Sequence, residues 1–377
     1  MSTEEVENNE ETTEVTESTG TTETTEEETD TGNSHITNRG FTDFPLRAET
    51  LRGIADLGFE KATPVQAATI EPGLAGKDML VRAKTGTGKT AAFSIPTIEN
   101  IEDGTKHPTA IILAPTRELA KQTAEFCEAI TAYRDVEIAL LVGGVPMPPQ
   151  ERMLEAGAAA IIGTPGRILD HIRRGNLDLS KTKIIVLDEA DEMLSMGFYK
   201  DVTALIDATQ DDRQILLFSA TINDDTENLV KRYLKDPEQI VLSTDTDRVE
   251  GIDHIIYNSS PTLNKLHSLL YIIDLENPTS AFIFCNTRED ASTVAAFLSK
   301  QGHDCRLLSG ELSQGKRDSV MKAVKAGEVR FLAATDVAAR GIDISNLSHV
   351  FNYSLPNDPD VYLHRTGRTG RIGKEGT

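Results

Sequence analysis

Two stretches decide how this chain reads: Ala83-Lys84-Thr85-Gly86-Thr87-Gly88-Lys89-Thr90 and, further on, Asp188-Glu189-Ala190-Asp191. The first follows the apolar run Met79-Leu80-Val81 and opens Ala91-Ala92-Phe93-Ser94-Ile95, so its setting is strand, glycine-rich turn, helix. Gly86 and Gly88 let the backbone bend tightly, which aims the amides of the helix start at a polyphosphate. Lys89 supplies a mobile ammonium for the outer phosphates and Thr90 a hydroxyl for Mg²⁺. The second stretch follows Ile184-Ile185-Val186-Leu187, a buried-strand run that delivers Asp188 and Glu189 at its end. Two carboxylates there suit a water-bound Mg²⁺ and a base that orients an attacking water. Each stretch has a plainer reading. Ala83 stands where the general phosphate-loop pattern has glycine, Gly-Thr-Gly-Lys-Thr alone also serves as a turn opening a helix, and acidic residues are stabilised at any helix start. In this order, and both on strand ends, the two stretches point to nucleoside-triphosphate hydrolysis.

Working outward, strand-like runs alternate with helix-length segments from about residue 41 to 242. Strands are expected at 78–83, 110–114, 137–142, 159–163, 184–188, 214–219 and 239–242, with helices such as 116–132 and 147–156 between them. Their continuous Ile/Val/Leu character is that of parallel strands buried on both faces. Residues 243–251 (STDTDRVEG) read as a polar linker. A second alternation follows, with strands near 252–258, 279–285, 304–308, 329–334 and 349–354 and helices near 263–275, 289–301 and 314–326. The expectation is an α/β protein of two tandem domains with parallel sheets, residues 39–242 and 252–377, with the phosphate loop in the first.

Composition narrows the class. With 377 residues and 38% hydrophobic content the chain fits a soluble protein of two domains, and no apolar run reaches membrane-spanning length. The N-terminus lacks the basic stretch and apolar core of a signal peptide, so the expected compartment is the cytoplasm. Cys127, Cys285 and Cys305 lie far apart and read as reduced thiols, and no histidine sits at metal-ligand spacing. The net charge is −22, yet residues 1–35 carry 12 acidic and no basic side chains, leaving 48 acidic against 38 basic elsewhere, a net of −10. Residues 1–38 are Glu/Thr low complexity with almost no large apolar side chain, and are expected to be a disordered, solubilising tail.

Taken together, these strings resemble the DEAD-box RNA helicases, a family of ATP-dependent enzymes with two RecA-like domains. The resemblance runs from about Phe41 to Arg371. Phe41, Gly58-Phe59 and Thr63-Pro64-Val65-Gln66 resemble the family's Q motif, which implies that the Gln66 amide pairs with the adenine edge while the upstream aromatic stacks on the ring. Phe41, Phe59, Thr63, Gln66, the whole turn from Ala83 to Thr90, and Asp343 near the ribose are thereby implied in ATP binding. Pro115-Thr116-Arg117, Gly143-Gly144 and Thr164-Pro165-Gly166-Arg167 match strings that hold the backbone of one RNA strand, a contact without base identity. Ser219-Ala220-Thr221 matches the string that couples hydrolysis to domain arrangement through Asp191.

In the second domain Phe282 to Arg288, Gln314 with Arg317, and Ala334 to Asp343 match further motifs, placing Arg288, Arg317 and Thr335 on RNA. His364-Arg365-Thr366-Gly367-Arg368-Thr369-Gly370-Arg371 resembles motif VI, in which His364 bridges to the acidic motif and Arg368 and Arg371 are arginine fingers. Arg365, Arg368 and Arg371 recur every third residue, one face if the stretch is helical, although Gly367 and Gly370 disfavour a long helix. The implied cofactors are ATP and Mg²⁺, the latter held by Thr90 and, through water, Asp188. Members of the family continue past this point with another strand and a closing helix, so the resemblance implies a second domain short of its last elements. A DNA helicase or translocase, a non-catalytic ATP-gated RNA clamp and a protein-remodelling ATPase are the alternatives. Stimulation by DNA marks the first, intact Lys89, Glu189, Arg368 and Arg371 argue against the second, and turnover indifferent to RNA marks the third.

Overall fold

The computed structural model describes residues 36–84, 86–242, 252–258, 263–310, 312, 314–339, 347–370 and 376–377. Seven strands build the first sheet: β1 (Met79–Arg82), β2 (Ala110–Leu113), β3 (Ile138–Leu141), β4 (Ala160–Gly163), β5 (Ile184–Leu187), β6 (Gln214–Ser219) and β7 (Glu238–Val241). Their order is β3-β4-β2-β5-β6-β1-β7, and every pairing is parallel. The helices around them are α1 (Ala48–Asp56), α2 (Pro64–Leu74), α3 (Lys89–Glu99), α4 (Arg117–Ile130), α5 (Met147–Glu155), α6 (Pro165–Arg173), α7 (Ala190–Ser195), α8 (Tyr199–Asp207) and α9 (Asp224–Tyr233). Side chains alternate between the sheet's faces. Ala110, Ile112, Ile184 and Val186 join one buried cluster, while Ile111, Leu113, Ile185 and Leu187 join another. Both faces are therefore core, which is why these strands read as unbroken apolar runs.

A second, four-stranded parallel sheet has the order β11-β8-β10-β9, from β8 (Ala281–Cys285), β9 (Cys305–Leu308), β10 (Phe331–Thr335) and β11 (His349–Asn352). It carries α10 (Lys265–Glu276), α11 (Arg288–Lys300), α12 (Gln314–Lys325), α13 (Asp336–Ala339) and α14 (Pro359–Thr366), with a buried cluster on each face.

Two expectations need correction. The strand expected over 252–258 is not formed: Ile252 makes one isolated bridge to Gly376, and residues 253–258 join no ladder. The partner edge is already used, since Thr377 pairs with Ser348 and Val350 beside β11, and Ile256 stands 88% exposed. At the other end, Thr37 is tied to Ala62 through both its amide and its hydroxyl, so order begins inside the stretch expected to be tail. Residues 1–35 and the linker 243–251 lie outside the described residues. Among the described residues no helix is long and apolar enough to cross a membrane.

Parallel order has one consequence that positions the site. The segments 83–90, 115–117, 143–144, 164–167, 188–191 and 219–221 all leave the carboxyl ends of their strands, along one edge of the sheet where α/β folds bind ligands.

Candidate functional site

The turn between β1 and α3 is fixed from three sides. Gly86 and Gly88 adopt φ of 83° and 94°, the left-handed region open to glycine. A Cβ on Gly88 would stand 2.6 Å from Gln66 Nε2, so the position also lacks room for a side chain. Ala83, at the position expected to be glycine, is not among the positive-φ residues. It donates its amide to Ser219 and accepts from the Lys89 ammonium through its carbonyl at 3.0 Å. Thr87 Oγ1 closes the turn onto the Lys84 carbonyl at 2.9 Å. Lys89 is buried and Thr90 half-buried in the first turn of α3, while Thr85 lies outside the described residues. This is a cradle of helix-start amides with a lysine beneath it, suited to a polyphosphate.

Thr63 caps α2, and its amide donates to Gln66 Oε1 at 2.9 Å while Gln66 Nε2 donates to the Gly88 carbonyl at 3.2 Å. Gln66 thus props the phosphate turn, a use the sequence did not disclose. Phe41 is only 3% exposed and packs on Phe44 and Phe59, so it belongs to the core rather than offering a free face. Phe59, 40% exposed and stacked also on Phe126, is the aromatic that reaches the surface.

At the end of β5, Glu189 holds φ 49° and ψ 54° as it caps α7, a left-handed conformation that costs a non-glycine residue about 1–2 kcal/mol. The turn separates the roles of the acids. Asp188 is buried, and burial together with the Glu189 charge, offset in part by Lys89, pushes its carboxyl up to about 7. Asp191 is also buried, and burial alone would raise it. The charges of His364 and Lys89 and the hydrogen bonds from Thr221 outweigh that and hold it below the usual carboxylate range. Thr221 donates to Asp191 Oδ2 from both amide and hydroxyl at 2.8 Å, and Ser219 Oγ accepts the Asp191 amide at 3.3 Å while donating to the Thr221 carbonyl. The acidic turn and the end of β6 are one network.

The donor set fits a divalent cation bound with a nucleotide. Asp188 is an acid whose ionised form is disfavoured without a nearby cation, and Thr90 brings a hydroxyl to the same strand-end edge. Among the described residues no cluster of three His, Cys, Asp or Glu could cage a metal alone.

Domain two supplies the opposite wall. A cleft of about 40 Å³ is lined by Glu189, Asp191 and Glu192 on one side and by Asp336, His364 and Arg368 on the other. His364 Nδ1 lies 3.9 Å from Glu192 Oε2. The expected face of three arginines is corrected here. Arg365 is 1% exposed and points into domain two, where it pairs with both Asp336 oxygens at 2.6 and 2.7 Å and donates to Asn286, Asn352 and the Ser354 carbonyl. Helix α14 ends at Thr366, and Arg368 in the turn that follows lines the cleft, while the Arg365 guanidinium is held by Asp336. Arg371 and Asp343 lie outside the described residues.

A groove of about 270 Å³ runs between the two sheets' loops and gathers Pro115, Thr116, Arg117, Gly143 and Thr164 with Arg317. Arg117 lies across Gly144, where any Cβ would collide with its guanidinium. Arg317 is held on two sides, by Glu118 Oε1 at 2.6 Å from its Nε and by the Ala338 carbonyl at 2.9 Å from Nη2. Pro165 is buried at the start of α6, Gly166 is exposed beside it, and Arg167 donates to the Val145 carbonyl at 3.1 Å. These three, with Gly144, Arg288 and Thr335, do not line the groove. Sequence reasoning missed Glu118, Met196, Phe198, Leu312 and Val337, which do, and Glu192 in the cleft.

Comparison with known proteins gives consistent results. The family profile described as DEAD/DEAH box helicase matches residues 63–229, and that described as helicase conserved C-terminal domain matches residues 263–373. The chain is 41% identical over 336 residues to the DEAD-box ATP-dependent RNA helicase CshA of Geobacillus kaustophilus, covering 89% of this chain and 72% of that one. Among solved structures, S. cerevisiae Dbp5 bound to RNA and ADP-BeF3 superposes with a TM-score of 0.81 at 33% identity, over 90% of this chain and 88% of that one. A point variant of Dbp5 bound to Nup159, a Gle1 variant, IP6 and ADP gives 0.62 at 31% identity, over 88% and 87%.

Proposed function

The chain belongs to the DEAD-box ATP-dependent RNA helicases, and from that premise we propose that it grips one RNA strand by its backbone, closes two domains on ATP and separates short duplexes locally. The observation that carries this reading is the cleft in which Glu189 and Asp191 of the first domain face His364 and Arg368 of the second. The higher TM-score against the RNA- and ADP-BeF3-bound relative supports taking this arrangement as the closed one.

ATP enters with its phosphates on the Lys89 turn and its base beside Gln66 and Phe59. Mg²⁺, when bound with it, neutralises phosphate charge, and Thr90 and, through water, Asp188 would hold it. Glu189, set apart by its left-handed backbone, orients the attacking water. Arg368, with Arg371 as second candidate, meets charge developing on the γ-phosphate, a contribution typically worth about 10³–10⁵ in rate. The groove with Arg117 and Arg317 takes the RNA backbone. It has walls from both domains, so RNA and ATP each bind the closed arrangement better than the open one and reinforce each other.

The test is Glu189→Gln: ATP and RNA binding should persist within about threefold while RNA-stimulated turnover falls by about 10² or more. Unchanged turnover refutes the role of Glu189. Equal stimulation by single-stranded DNA refutes the RNA assignment, and Arg368→Ala should lower kcat far more than ATP affinity.

A further inference from the structure

Glu192 follows the acidic motif on α7 and has no part in the hydrolysis chemistry. It is 7% exposed. Its neighbour Asp191 is engaged by Thr221 and by the Glu192 amide, which donates to Asp191 Oδ1 at 3.0 Å. The Glu192 carboxylate instead faces the other domain, with Oε2 3.9 Å from His364 Nδ1 and Arg368 on the same cleft wall. A carboxylate this enclosed loses most of its hydration when the domains meet, and only an opposite charge or hydrogen-bond donors offset that loss. His364 and Arg368 are such groups. With the domains apart, Glu192 regains water and the contact vanishes. An interaction present in only one of two arrangements is what biases the equilibrium between them.

The contact also reaches the reaction centre mechanically. Gly367 N–H donates to the Leu363 carbonyl at 2.9 Å and Arg368 N–H to the Arg365 carbonyl at 3.2 Å, so the turn bearing Arg368 is an extension of the last turn of α14. Arg365, buried among its five hydrogen bonds, anchors that turn to domain two. One hydrogen-bonded backbone turn therefore carries both His364 and Arg368.

Resting on the helicase reading above, we propose that Glu192 is a positioning residue. Its carboxylate draws the His364 ring against the first domain and thereby seats Arg368 at the nucleotide when the domains close. It acts through His364 and does not touch the substrate. The charge carries the effect, and shape alone does not.

The experiment uses the full chain and the isosteric Glu192→Gln, with Glu192→Ala, His364→Ala and the double variant Glu192→Gln/His364→Ala. RNA-stimulated kcat should fall about tenfold in Glu192→Gln, with ATP affinity measured without RNA changed less than about twofold. The double variant should be no slower than His364→Ala by more than about twofold, because the two residues act as one unit. Wild-type turnover in Glu192→Gln with a loss only in Glu192→Ala would assign Glu192 to packing and overturn the proposal. Multiplying effects in the double variant would overturn it as well. If the wild-type chain shows no RNA-stimulated turnover, the helicase mechanism fails and takes this role with it. If stimulation is intact and Glu192→Gln matches it, only the role of Glu192 fails.

Discussion

Replacing Arg365 separates a structural arginine from a catalytic one within a single motif. Arg365→Ala removes a guanidinium that five hydrogen bonds tie to α13 and to the ends of β8 and β11, two of them to Asp336. Deleting one partner of a buried ion pair costs about 3–5 kcal/mol, because the other charge is left without compensation. The Asp336 side chain keeps 25% exposure, so water recovers part of the loss and the lower end, about 3 kcal/mol, is expected. For a domain of roughly 120 residues each kcal/mol moves the melting temperature by about 3–5 °C, which gives a fall of about 10–15 °C for domain two. Calorimetry of the full chain should show that transition moving down while ATP binding by the first domain, measured at low temperature, changes less than about twofold. Arg365→Lys keeps the charge but not the fork, and should fall between. If Arg365→Ala melts like the wild type while kcat drops by about 10² or more, Arg365 is a finger and the reasoning is wrong.

Asp188→Asn should stabilise the nucleotide-free, EDTA-treated protein in a pH-dependent way. The folded state raises this carboxyl from its ordinary 3.8 to about 7, so the folded form binds the extra proton and stability falls as pH rises through that window. The gain from Asn should be near zero around pH 4 and full above pH 7, with an upper bound of about 4 kcal/mol at 1.36 kcal/mol per tenfold in proton affinity. A gain in melting temperature that is the same at pH 5 and pH 8 would refute this. Gly88→Ala should abolish ATP binding with little unfolding, since the added Cβ meets Gln66 Nε2 at 2.6 Å and φ is 94°. Wild-type ATP affinity in that variant would show the turn to be more yielding than drawn.

What could be read from the chain was whatever is local. Ile111-Ile112-Leu113 and Ile184 to Leu187 announce buried parallel strands because both sheet faces are covered, and no tertiary knowledge is needed to see it. The Lys89 turn was legible for the same reason, being one strand, one bend and one helix start. What failed depended on partners far along the chain. A spacing of three cannot reveal that Arg365 turns inward, because Asp336, Asn286 and Asn352 that hold it arrive from other elements of the chain. Ile255-Ile256 looked like a strand, and its failure comes from Thr377 taking the edge of β11. Glu118 and Glu192 are ordinary helix-start acids until the second domain brings Arg317 and His364 to them.

The hydrogen bonds of Gln66 carry a consequence for base choice. Thr63 pins the carbonyl end of the amide and Gly88 pins the amino end, so its left-right order is settled by the fold and cannot swap to suit a visitor. Adenine offers N7 as acceptor and N6 as donor, whereas guanine offers two acceptors side by side. An amide free to rotate would compromise between them. On the proposed function this one would meet guanine with oxygen against oxygen, so a side chain that spends the rest of its bonding on the phosphate turn would also sort the purine.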